Sequence, residues 1–169
     1  VGGLVGYSVG VGTIYGYNTG NITIINVDNQ SVMPSSVGGL IGHVDSQFNA
    51  NNSYNTGDII EQDATGKMNS GAIGGIVGHG NGGMVLTNVY NTGNINTSSF
   101  EYVGGLAGFI SGQAVATITY NAGNITVPET VGTSVDNDFF VGGLIGRTNA
   151  VAISTYNYNL GNININVGS

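Results

Sequence analysis

Cysteine is absent from this 169-residue chain, so neither disulfides nor thiolate metal sites contribute to its fold. Tryptophan is absent too, and proline occurs only at Pro34 and Pro128. Charge is scarce: Asp, Glu, Lys and Arg together make up 7% of the residues, and Lys67 and Arg147 are the only strongly basic side chains. The formal net charge is -7. Nucleic acid is therefore an unsuitable partner, because a phosphate backbone is neutralised by several Lys or Arg contacts. A basic membrane-surface patch is excluded on the same ground. No apolar run approaches the roughly 18 residues of a membrane span. Low charge does not mean disorder here, since hydrophobic residues reach 40% and Val and Ile are abundant among them.

What the chain has instead is glycine, at 31 positions, and repetition. VGGLVG starts at Val1, VGGLIG at Val37, IGGIVG at Ile73, VGGLAG at Val103 and VGGLIG at Val141. A second motif keeps step with it: YNTGNI at Tyr17, YNTGDI at Tyr54, YNTGNI at Tyr90, YNAGNI at Tyr120 and YNLGNI at Tyr158. From the head of the first motif to the tyrosine of the second is 16 residues in the first repeat and 17 in the other four. From that tyrosine to the next VGG the interval runs 20, 19, 13 and 21 residues. One part of the repeat is fixed in length and the other accepts insertion.

Periods of this size belong to solenoids, propellers and arrays. Helical repeats fail on composition, because Gly costs about 1 kcal/mol against Ala in a helix interior. Runs such as TIYGY, NITII, VATITY and NININV nearly alternate, which is a strand signal. A propeller blade needs four antiparallel strands, and hairpin turn pairs are too few. The pattern predicts an all-β fold, a parallel β-solenoid of about five rungs. Residues 1–169 form a single repeat domain with repeats starting near 1, 37, 73, 103 and 141.

Stacking equivalent positions about 4.8 Å apart turns each conserved letter into a column. Tyr17, Tyr54, Tyr90, Tyr120 and Tyr158 are expected to form an aromatic column. Asn18, Asn55, Asn91, Asn121 and Asn159 are expected to form an amide ladder, since each amide offers a donor and an acceptor. Gly20, Gly57, Gly93, Gly123 and Gly161 are expected in a left-handed turn conformation. Asn21, Asp58, Asn94, Asn124 and Asn162 follow, and Ile22, Ile59, Ile95, Ile125 and Ile163 return the chain to the core. Leu4, Leu40, Ile76, Leu106 and Leu144 are placed inside. The next column (Val5, Ile41, Val77, Ala107, Ile145) is also apolar, although strict alternation would face it outwards.

The five GGL/I-x-G motifs, each followed by YN-x-G-N/D-I, resemble the GLUG-motif repeats of bacterial surface proteins, over nearly the whole chain. The resemblance implies a β-rich array in an extracellular or cell-surface setting, in adhesin-like proteins and in non-catalytic regions of some IgA-cleaving metallopeptidases. It brings no active site, because the zinc motif H-E-x-x-H is absent from this chain.

The search for chemistry returns little. His43 and His79 share a column with Tyr7, Phe109 and Arg147, and no third metal ligand is specified for them. Most acids, with both prolines and Lys67, fall in the variable segment, which maps to one edge of the solenoid. Asp136 and Asp138 form its densest oxygen cluster and a candidate Ca²⁺ site, without a full ligand spacing. No other cofactor is expected. Neither end carries a helix, charge cluster or proline to blunt it, so the domain is expected to lack its own caps. The sequence therefore predicts a non-catalytic, extracellular structural or adhesive rod, whose partner is a host or cell-surface ligand. The alternative is a filament subunit that self-associates head-to-tail through uncapped terminal rungs.

Overall fold

The computed structural model describes residues 1–25, 36–62, 69–128, 139–150 and 152–166. Among them there is no helix, and every strand pairing is parallel. The fold is an all-β solenoid of about four full turns, and three of its four sheets are five levels deep. Each repeat makes one coil, as the single-rung reading predicts. In the second repeat the coil runs Ser36–Gly38, Ile41–Val44, Phe48–Asn55 and Ile59–Gln62. In the third it runs Asn69–Gly74, Val77–Gly80, Met84–Asn91 and Ile95–Asn96. These four positions define the first to fourth sheets.

Stacking is in register despite the unequal repeats. Val37 pairs with Ile73, Ile41 with Val77, Tyr54 with Tyr90 and Ile59 with Ile95. Slippage by one residue would turn every side chain to the other face, so a buried apolar face fixes register strongly. The inward residues gather in two clusters. One lies between the second and third sheets and contains Leu40, Ile76 and Leu106, with Ile41, Val77, Ala107, Met84 and Leu86. The other lies between the first and fourth and contains Val37, Ile73, Val103, Ile59, Ile95 and Ile125.

Leu40, Ile76 and Leu106 are buried as expected, at 1% exposure or less. Leu4 and Leu144 are corrections to that column. Leu144 is half-buried against the first cluster, and Leu4 is 46% exposed. Both sit on the outermost levels, where stacking is one-sided.

The departure from alternation at Leu40–Ile41 has a backbone cause. The amides of Leu40 and Ile41 both donate to the carbonyl of Ile76, each at 3.0 Å. Ile76 and Val77 do the same to Leu106, and Leu106 and Ala107 to Leu144. Two successive N–H groups thus point along the stack, whereas in a regular strand they point to opposite sides. The chain turns a corner there, and both side chains reach the core.

The glycines of the second motif are also corrected. None of Gly20, Gly57, Gly93, Gly123 and Gly161 lies in the left-handed region. Their requirement is spatial: a methyl on Gly93 would stand 2.6 Å from the carbonyl carbon of Gly57 one level away. The left-handed residues lie elsewhere, at Asn52, Asn88, Ile118 and Tyr156, with φ between 46° and 56°. They are equivalent positions on the third sheet. The first repeat has one residue fewer between Ile14 and Tyr17 than the second has between Ala50 and Tyr54, which accounts for its 16-residue spacing.

Candidate functional site

The repeated hexapeptide is where side-chain chemistry concentrates, and what it builds is a set of ladders along the stack. Asn18, Asn55, Asn91 and Asn121 each make two donations from the amide nitrogen, and Asn159 makes one, to Gly161 O. Asn55 Nδ2 donates to Gly57 O at 2.7 Å and to Asn91 Oδ1 at 2.8 Å. Asn91 repeats this with Gly93 and Asn121, and Asn121 with Gly123 and Asn159. Asn18 begins the series by donating to Asn55 and Gly20. Asn55, Asn91 and Asn121 are fully buried, so each bond replaces a contact with water that the interior cannot supply.

The ladder also explains why the two motifs keep a fixed distance, a link that sequence reasoning missed. The second glycine of each GG pair lies against the ladder asparagine of its own repeat. A methyl on Gly75 would stand 2.6 Å from Asn91 Nδ2, and one on Gly39 would stand 2.6 Å from Asn55 Cγ. Gly105 and Asn121, and Gly143 and Asn159, make the same contact. The only trace of this coupling in the sequence is the constant interval between the motifs.

A second amide column lies on the outer side of the hexapeptide. Asn21 Oδ1 accepts from the amide of Asp58 at 2.9 Å, Asp58 Oδ1 from Asn94 at 2.7 Å, Asn94 Oδ1 from Asn124 at 3.0 Å, and Asn124 Oδ1 from Asn162 at 2.9 Å. An aspartate serves at Asp58 because this column needs only an acceptor oxygen.

The tyrosines stack as one column. Ring centroids from Tyr17 to Tyr54, Tyr90, Tyr120 and Tyr158 are 5.0, 4.9, 4.9 and 5.1 Å apart, with interplanar angles of 6° or less. Burial raises the Tyr120 phenol above its ordinary range, with Tyr90 and Tyr158 adding to the shift. None of the five hydroxyls has a hydrogen-bond partner among the described residues.

On the second sheet Tyr7, His43, His79 and Phe109 form a tilted aromatic column, with centroids 5.3, 4.7 and 4.8 Å apart. Arg147 continues it, its guanidinium carbon 5.8 Å from the Phe109 centroid and 5.0 Å from that of Phe140. Asp45 gathers three donors: Tyr7 OH, His43 Nε2 at 2.9 Å and Asn81 Nδ2 at 2.6 Å. The Tyr7 hydrogen bond first, then those of His43 and Asn81, hold the Asp45 carboxyl down at about 2. His43 Nδ1 lies 3.3 Å from Ser36 Oγ, so serine, imidazole and carboxylate touch in the order of a hydrolytic triad. Ser36 is only 3% exposed, and its place in the next repeat is taken by Ala72. The contact orients the imidazole and offers no hydroxyl to a substrate.

His79 Nε2 is buried without a hydrogen-bond partner, and burial first, with His43 second, lowers the His79 pKa. No group of three or more potential metal-ligating side chains occurs among the described residues. Asp136 and Asp138, the candidate Ca²⁺ ligands, lie outside the described residues, as does most of the variable edge. The exception is the short connection of the third repeat, Thr97–Ser99. Glu61 accepts there from Thr97 Oγ1 at 2.8 Å, from the amides of Ser98 and Ser99 at 2.9 and 3.1 Å, and from Ser99 Oγ. Sequence reading missed this contact, because Glu61 and Ser99 are 38 residues apart.

No protein-family model, curated protein or solved structure matches this chain.

Proposed function

We propose that this chain is a non-catalytic structural or adhesive rod of a secreted or cell-surface protein, of the GLUG-repeat type. The observation that carries the reading is the use of the repeated polar residues. The motif asparagine, which a catalytic reading would have to explain in all five repeats, is spent on rung-to-rung hydrogen bonds at Asn55, Asn91 and Asn121. An architecture in which each coil contacts its neighbours grows in length by adding coils, which suits a spacer or a display stalk. The extracellular setting rests on the resemblance of the paired motifs. The low charge favours a surface that meets neutral or host-derived ligands over nucleic acid.

Negative-stain electron microscopy of the purified protein tests this reading. Discrete particles of five levels, no taller than they are wide, are the expected result. Long fibres would overturn the rod in favour of the filament subunit.

A further inference from the structure

The third sheet carries no charged residue in any of its seven strands, in a chain of net charge -7. Its solvent side is organised in columns. The tyrosine column runs its full height, beside the columns that contain Thr87 and Thr117 and, further out, Val85 and Val115. Outward positions alternate with buried ones on each side of the left-handed residue at Asn88 and Ile118: Val85 and Thr87, Val115 and Thr117 before it, Tyr90 and Tyr120 after it. We propose that this face is the adhesive surface of the rod and that its ligand is a neutral, linear polysaccharide lying along the stack. The proposal rests on the adhesive reading given above.

Three features select that partner. The tyrosine rings cover one another, so the column presents ring edges and hydroxyls at intervals of 4.9 to 5.1 Å. Those hydroxyls have no partner among the described residues, and each can both donate and accept. A pyranose chain offers the complement, hydroxyl edges alternating with apolar C–H faces, in a repeat about the size of one sugar. Val85, Val115 and Ile153, in a column completed by Thr13 and Asn49, offer apolar contact to those C–H faces. Finally, the absence of charge removes the desolvation cost that a carboxylate or ammonium would impose against a neutral sugar. An anionic polymer gains no counter-charge there. Single contacts of this kind are weak, but repetition at successive levels of one rod multiplies them.

Depletion of the purified protein by insoluble amorphous cellulose, chitin, xylan and mannan, with polygalacturonate as the anionic comparison, tests the assignment. Binding to at least one neutral polymer, insensitive to salt, is expected, with none to polygalacturonate. The triple variant Tyr54→Phe, Tyr90→Phe and Tyr120→Phe keeps the stacked rings and the fold, checked by circular dichroism. It should bind about tenfold more weakly or worse. Binding to none of the four neutral polymers, salt-sensitive binding to polygalacturonate, or unchanged affinity in the triple variant would each overturn the proposal. Discrete particles that bind nothing sink this face alone, and fibres that bind sink the rod alone.

Discussion

Replacing Asn91 by alanine should damage this fold far more than the same change at Asn159. Asn91 is fully buried and makes three hydrogen bonds: to Gly93 O at 2.7 Å, to Asn121 Oδ1 at 2.8 Å, and from Asn55 Nδ2 at 2.8 Å. At a net worth near 1 kcal/mol each, the bonds sum to about 3 kcal/mol. The buried Asn121 Oδ1 is then left without its donor, and an unsatisfied buried group costs about 1 to 3 kcal/mol. Some of this overlaps with the lost bond, so the total is about 4 kcal/mol. Asn159 is exposed, donates to Gly161 O at 2.7 Å and accepts from Asn121 at 2.8 Å. Water can replace those partners, so about 1 kcal/mol is expected. At about 2 to 4 °C per kcal/mol for a chain of this size, Asn91→Ala should lower Tm by about 10 °C and Asn159→Ala by about 3 °C. Thermal melts followed by circular dichroism measure both. Equal small shifts would show that the buried ladder does not hold the coils together.

Three other substitutions probe separate parts of the structure. Ile118 is a β-branched residue at φ 53° and is 54% exposed, so Ile118→Asn should relieve about 1 kcal/mol of backbone strain at little cost in burial. It would also extend the Asn52–Asn88 hydrogen bond, and a lower Tm in the variant would refute the strain. Glu61→Ala removes the four hydrogen bonds that Glu61 accepts from Thr97–Ser99 and should cost about 2 to 3 kcal/mol in urea unfolding, whereas Glu101→Ala serves as a control acid with no such nest. The lowered pKa of His79 means that the unfolded chain binds its proton first as pH falls below the ordinary value of 6.5. That contribution to stability is present above 6.5 and is lost on acidification. The drop in Tm between about pH 7 and pH 5 should therefore shrink in His79→Phe, and an unchanged drop would place the titration elsewhere.

Columns were legible in the sequence because a parallel solenoid turns periodic residues into neighbours. Tyr90 and Asn91 could be assigned partners 30 and 36 residues away by motif alignment alone. Contacts within one coil were not legible, since nothing in a single repeat says which corner faces which. That is why Gly75 against Asn91 escaped notice, and why glycine in the hexapeptide was given a conformational reason where the cause is the approach of the next coil's backbone. The left-handed residues escaped for a related reason. Asn52 and Asn88 suit that conformation, but Ile118 and Tyr156 do not, so composition carried no consistent signal at the position. The burial of Leu4 was overestimated because Leu40, Ile76 and Leu106 have a described level on either side and it does not.

The division of each repeat into a fixed and a variable part follows from these contacts. Between the GG pair and the hexapeptide the chain must leave one corner, cross the second and third sheets, and return so that the ladder asparagine meets the glycine where it began. A residue gained or lost there separates Gly75 from Asn91, unless it is absorbed in the bend at Asn88, the one place where the first repeat differs in length. Beyond Ile95 no such closure applies. The chain need only re-enter at Val103 in register with Ile73, and its intervening N–H groups can be satisfied by whatever the neighbouring level provides, as Glu61 does for Ser98 and Ser99. Insertions therefore collect on that edge, while the third sheet, lying wholly within the fixed part, keeps its tyrosines aligned whatever the length of the connection. An array built this way can vary one edge without disturbing the opposite face.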